Sequence, residues 1–184
     1  MNNIEKYLRI AGLMLGLMAG ILAVPATTSA QSSPSVRLNF TGTYVGTTCT
    51  LIGSPDMTVT LPTVSTQSLS TAGAGAKDFT IMMKCASGET GARVYFESGP
   101  TTDPVTGHLN PQTVSGATSA SNVQIKLANA DGSPIKVGDR STMKIIPITS
   151  TEPTPATFFA SYYPTGKVTA GTVSTFVTYV IEMP

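Results

Sequence analysis

Few residues in this chain invite a chemical reading: two cysteines, a single histidine and a scatter of aromatic side chains. Asp103 and His108 stand five apart, and a carboxylate beside an imidazole is the raw material of acid–base chemistry. No nucleophile with a distinctive local signature accompanies them, so a solvated loop explains both residues. A metal site would need more than one imidazole or close-spaced thiolates, and neither occurs. Phe158, Tyr162 and Tyr179 suggest a sugar-stacking platform, but each falls in an alternating run where core packing is the simpler role. Asn39-Phe40-Thr41 fits a glycosylation triplet, a three-residue match of little specificity. Gly73-Ala74-Gly75-Ala76 lacks the lysine and the strand–helix context of a phosphate cradle, and reads as a flexible loop or turn. The sequence therefore points away from an enzyme, and no cofactor is expected.

Cys49 and Cys85 are the remaining chemistry, and their meaning depends on compartment. Lys6 and Arg9 precede an apolar stretch from Ala11 to Val24, followed by the small residues Thr28-Ser29-Ala30. This is the pattern of an export signal, read as residues 1–30, with cleavage after Ala26 as a second possibility. The apolar run is short for a membrane span. Lys6, Arg9 and Glu5 are the only charged residues of that segment, so the remainder carries nine basic and nine acidic residues. A net charge of zero offers no basic surplus for nucleic acid. In an oxidising compartment an even cysteine count favours one disulfide over two free thiols. Closing a ring of that size stabilises the fold by about 4 kcal/mol.

The elements that must position these residues are strands. Met57–Leu61 alternates and stops at Pro62. Phe79, Ile81 and Met83 share one face of a run ending at Cys85, and Val94 and Phe96 share a face of the next. Val123, Ile125 and Leu127 keep strict period two. Asp131-Gly132 marks a turn before the short Ile135–Val137 segment, and Met143–Ile148 reads as a strand interrupted by Pro147. Phe158, Ala160 and Tyr162 alternate ahead of Pro164-Thr165-Gly166, and Val173–Met183 is a terminal β run. The 101–121 stretch reads as a polar connection. Strands punctuated by Gly and Pro turns predict an all-β sandwich. Ahead of them, Val36-Arg37-Leu38-Asn39-Phe40 alternates as well. It reads equally as the first strand of the chain's own sandwich or as an arm that fills another chain.

The order of these pieces resembles the type 1 family of pilus (fimbrial) subunits of the chaperone–usher pathway. The resemblance runs from Val36-x-Leu38-x-Phe40-x-Gly42 through Thr48-Cys49-Thr50-Leu51, Phe79-x-Ile81-x-Met83-x-Cys85 and Asn122-Val123-x-Ile125-x-Leu127. It continues through Gly132-x-x-Ile135-x-Val137-Gly138 and Phe158-x-Ala160-x-Tyr162-x-Pro164-Thr165-Gly166 to the terminal β run.

The resemblance implies an incomplete immunoglobulin-like β-sandwich lacking its final strand, completed by a donor strand from another chain. Residues 31–41 would be the donor arm, with Val36, Leu38 and Phe40 entering pockets, and residues 42–184 the pilin domain. A Cys49–Cys85 disulfide would tie the first body strand to the second. Tyr179, Ile181 and Met183 would border the groove and meet a periplasmic chaperone. An outer-membrane usher and neighbouring subunits would be the other partners, at a surface fimbrium. The chain departs from the family at Met183, where tyrosine is usual, and in ending on Pro184. A minor adaptor or terminator subunit is the alternative within the fold. A self-complete exported carbohydrate-binding domain is the alternative outside it, and its mark would be residues 36–40 packed in their own body.

Overall fold

A computed structural model describes residues 36–42, 49–69 and 73–184, the first two of them by their backbone alone. The proposed export signal and residues 31–35 lie outside the described part. The described residues form strands and connections with one short 3-10 turn at Arg140–Thr142.

Ten strands build two five-stranded sheets. They are β1 (Val36–Gly42), β2 (Cys49–Ile52), β3 (Met57–Leu61), β4 (Ala74–Cys85), β5 (Gly91–Glu97), β6 (Val123–Asn129), β7 (Pro134–Ile135), β8 (Ile146–Pro147), β9 (Thr154–Pro164) and β10 (Ser174–Glu182). One sheet has the order β3-β1-β10-β5-β8 and the other β2-β4-β9-β6-β7. The inward residues are those of the alternating runs. Ile81 and Met83 of β4, Ile125 and Leu127 of β6, and Val94 and Phe96 of β5 are all buried to 1% exposure or less. Rings fill the centre: Phe79, Phe96, Phe158 and Phe40 lie with neighbouring centroids 4.8 to 6.4 Å apart. Offset and edge-on arrangements of this kind add to the burial of each ring.

Three sequence expectations change in detail. The Gly73–Ala76 stretch is not simply a loop, because β4 begins at Ala74, with a bulge before Lys77 and Gly75 at φ +65°. Glycine permits that left-handed turn, and the bulge lets the strand bend onto Tyr162. The Met143–Ile148 run contributes only two residues to the sheet, β8, which pairs with Gly91 and Ala92. Pro147 has no N–H to extend the ladder. The disulfide forms between Cys49 and Cys85, which are register partners of β2 and β4. It therefore joins the first body strand to the third in chain order, because β3 crosses to the opposite sheet.

Candidate functional site

The position of β1 gives the fold its functional content. It is an interior strand, antiparallel to β3 on one side and parallel to β10 on the other. Every other pairing between named strands is antiparallel. Without β1, the facing edges of β3 and β10 would stand about 9–10 Å apart, two strand spacings, with their N–H and C=O groups unpaired. The sandwich thus contains a groove one strand wide, and here the chain's own arm fills it. The expectation that another chain completes the sheet is not what this structure holds: the first strand serves its own body.

Leu38 and Phe40 point into the groove and are buried to 0% and 1% exposure, while Asn39 and Thr41 face outward. Phe40 stacks on Phe79 at 4.8 Å and lies 6.3 Å from Phe96. Val36 pairs with Leu61 in register, and its side chain lies outside the described part. Gly42 closes the strand opposite Tyr179. A Cβ there would lie 2.7 Å from the ring's Cζ, so only glycine fits this register without displacing the ring.

The β10 side of the groove presents Thr175, Val177, Tyr179 and Ile181 inward, all buried. The Tyr179 hydroxyl donates to the Pro55 carbonyl at 3.3 Å, and burial pushes its pKa up, with Asp56 adding to the effect. Met183 lies just past β10 and is half-buried, its sulfur 3.5 Å from Cys49 Sγ. The three residues expected to border the groove therefore lie together along one line, with Met183 against the disulfide. Burial pushes Tyr162, across the sandwich, up to about 12.

Two cavities mark the ends of the filled groove. One, about 270 Å³, lies beyond the Val36 end and is lined by Val64, Leu69, Tyr162, Val168 and Val173 among others. The second, about 340 Å³, lies beyond Gly42 and is lined by Leu51, Pro55, Tyr179 and Ile181 among others. Both are predominantly apolar, so β1 occupies the middle of a longer apolar trough.

The polar 98–122 connection has a role that sequence patterning missed. β5 pairs with only Thr178–Glu182 of β10, leaving the first half of that edge open. The connection covers it: Thr101 Oγ1 donates to Phe176 O at 2.6 Å and Gln112 N to Ser174 O at 2.7 Å. Thr175 Oγ1, inside the groove, donates to Asn110 O at 2.8 Å. Asp103 and His108 are part of this brace. Gln124 Nε2 donates to Asp103 Oδ2 at 3.0 Å, and the Gln124 Oε1 lies 3.2 Å from His108 Nδ1. Backbone N–H groups of Thr106 and Val105 hold the Asp103 carboxyl below the usual range, and burial lowers the His108 pKa. Both residues are structural here, and they are bonded rather than merely solvated. Among the described residues no three His, Cys, Asp or Glu side chains come close enough to share a metal ion.

At the other end of β10, Arg140 makes a two-pronged ion pair with Glu182, with contacts of 2.6 and 2.8 Å, and lies 4.4 Å over the Tyr95 ring. The hydrogen bond from Arg140 holds the Glu182 carboxyl below its ordinary range.

Comparison with known proteins follows the same line. The family model described as "Fimbrial protein" matches residues 38–183. The chain is 38% identical to the F17 fimbrial protein of Escherichia coli, across 88% of this chain and 94% of that one. It is 33% identical to the major fimbrial subunit SMF-1 of Stenotrophomonas maltophilia, across 83% and 94%. It is also 33% identical to the serotype 2 fimbrial subunit of Bordetella pertussis, across 94% and 96%.

Proposed function

Because this chain belongs to the fimbrial protein family, we propose that it is a structural subunit of a surface fimbrium, polymerised by exchange of the β1 strand between copies and supporting adhesion of the cell. The observation that carries the reading is β1 itself: an interior strand that runs parallel to β10, with an apolar cavity beyond each of its ends. Family membership implies an extracellular location, and the partners are a periplasmic chaperone, an outer-membrane usher and further subunits.

Chain connectivity favours one direction for the exchanged strand. Only six residues join Gly42 to Cys49, so a donor's body must sit close to the Gly42 end of its arm. If a neighbour's arm entered in the direction of β1, its body would arrive where the recipient's own arm departs, and two neighbours would compete for one end. If it entered in the opposite direction, that body would arrive at the Val173 end. Each copy then has one neighbour at each end, and the contact propagates as a filament.

Side-chain register follows from the reversal. With Phe40 kept opposite Val177, Leu38 meets Tyr179, Val36 meets Ile181 and Gly42 meets Thr175. The next alternating residue, Tyr44, reaches Val173. The reversed arm would therefore extend toward both cavities that lie beyond the ends of β1. Each apolar side chain buried this way adds about 1.5–3 kcal/mol. The self-filled monomer is a stored form, and the exchanged form is the deeper minimum. A chaperone that lends a strand to the groove would hold the subunit in readiness between the two.

The test uses the chain without residues 31–41 together with a peptide spanning residues 33–46. The shortened chain alone should aggregate or unfold, and the peptide should restore a soluble, cooperatively folding species. A spin label at the peptide's N-terminus should then broaden NMR signals near Ile181 rather than Val173. A shortened chain that folds as well as the full chain would defeat the reading, and so would a label found near Val173.

A further inference from the structure

We propose that the cleft between the 110–113 loop and the Asn122 end of β6 binds an uncharged saccharide. The cleft is an open depression of about 380 Å³, with Gln112, Thr113, Asn122 and Thr165 exposed along it, a shape suited to a ligand that stays partly in water. It is separate from the strand groove, although Ala120 and Val123 lie in the wall between it and the cavity beyond Val36.

Its chemistry is narrow. The polar lining consists of amides and hydroxyls, among them Asn110, Gln112, Thr113, Asn122, Gln124 and Thr165, with no Lys, Arg, His, Asp or Glu. An ion would find no counter-charge there, and an apolar molecule would strand the amides without partners. Adjacent hydroxyls of a sugar each donate and accept, which is what amide pairs and hydroxyls complement. The side chains of Gln112, Thr113 and Thr165 are exposed and meet water, so a saccharide hydroxyl could replace that water without breaking a bond inside the protein.

The walls are built rather than loose. Gln112 N and Asn110 O are tied to β10, and Gln124 Nε2 donates to Asn110 Oδ1 at 2.9 Å. Asn122 has φ +55°, the only positive φ of a described residue other than glycine, and its Nδ2 donates to Lys167 O at 2.9 Å. Asparagine takes up this left-handed backbone readily, and the Lys167 bond fixes the direction of its side chain. In the same wall the Ser119 hydroxyl is buried without a partner. A weak sugar site repeated on every copy of a filament would act with avidity.

The test uses the full-length, disulfide-bonded chain on an array of neutral host-type glycans and neutral bacterial polysaccharide fragments, with sulfated and sialylated glycans as controls. Saturation-transfer NMR then measures each hit, and the array arm that responds separates host from bacterial sources. The expected result is binding to neutral glycans that Gln112→Ala/Thr113→Val and Asn122→Gly each weaken about tenfold or more. Asn122→Gly keeps the left-handed backbone available, and Thr60→Val, on the other sheet, is the control. The proposal is overturned if no neutral glycan binds, if both cleft variants bind like wild type, or if only charged glycans bind. Since the readout is on the monomer, failure here leaves the strand-exchange reading standing.

Discussion

Truncating Phe40 to alanine tests the groove at its centre. The ring is buried to 1% exposure and touches Phe79 and Phe96, so its removal leaves a cavity that the rigid walls of two sheets close only in part. Phe→Ala changes at such sites cost about 3–5 kcal/mol. This is a large part of the roughly 5–15 kcal/mol that holds a typical domain. For a domain of this size it corresponds to a fall in Tm of about 6–20 °C. The measurement is urea unfolding of the exported, disulfide-intact monomer, with Thr41→Ala as an outward-facing control expected within about 0.5 kcal/mol of wild type. Filament growth from the same preparation should slow as well, because under the proposed exchange the same ring would fill the neighbour's groove. A loss below about 1 kcal/mol, with an unchanged urea slope, would mean that β1 does not seat in its own body. The groove argument would then fail at its first step.

Other expectations follow from single contacts. Gly42→Ala should destabilise the monomer, and Tyr179→Leu should relieve part of that loss in the double variant; a Tm series over the four proteins checks it. Replacing Cys49 and Cys85 by serine should cost about 2–5 kcal/mol in urea unfolding. Glu182 has its pKa lowered in the folded state by the Arg140 hydrogen bond, so its contribution is present above pH 4.5 and is lost as the pH falls through the folded value. The Tm gap between wild type and Glu182→Gln should therefore close on acidification below pH 4.5. In an alkaline absorbance titration of the folded chain, Tyr162→Phe should remove a phenol that ionises only near 12.

Much of the core was legible because period-two alternation is a direct record of burial. Phe79, Ile81 and Met83, like Val123, Ile125 and Leu127, face inward as their spacing requires. The arm was legible as a strand, but its owner was not. Alternation says which side chains want cover and nothing about whose backbone supplies the neighbouring edge, and the residues alone left the two readings level. The chain's own body turned out to be the owner in this structure, the mark set down for a self-complete domain. Membership of the fimbrial protein family, the parallel pairing and the two end cavities nevertheless favour the exchangeable arm. The brace from Thr101 to Gln112 left no pattern at all, because it acts through backbone carbonyls and hydroxyls rather than hydrophobic spacing. Gln124 carried no signal either, because it sits in the outward phase of the Val123–Leu127 alternation and is buried only by the connection that packs over it.

The pairing of Arg37 with Ser174 spans 137 positions of the chain. If the polypeptide crosses a membrane amino end first, β1 arrives with its partner strand still on the far side. Disulfide formation and most of the second sheet can precede the closing of the first. On the proposed exchange, the trough would stay open during that delay to a strand from another chain, and the order of arrival would decide which one seats first.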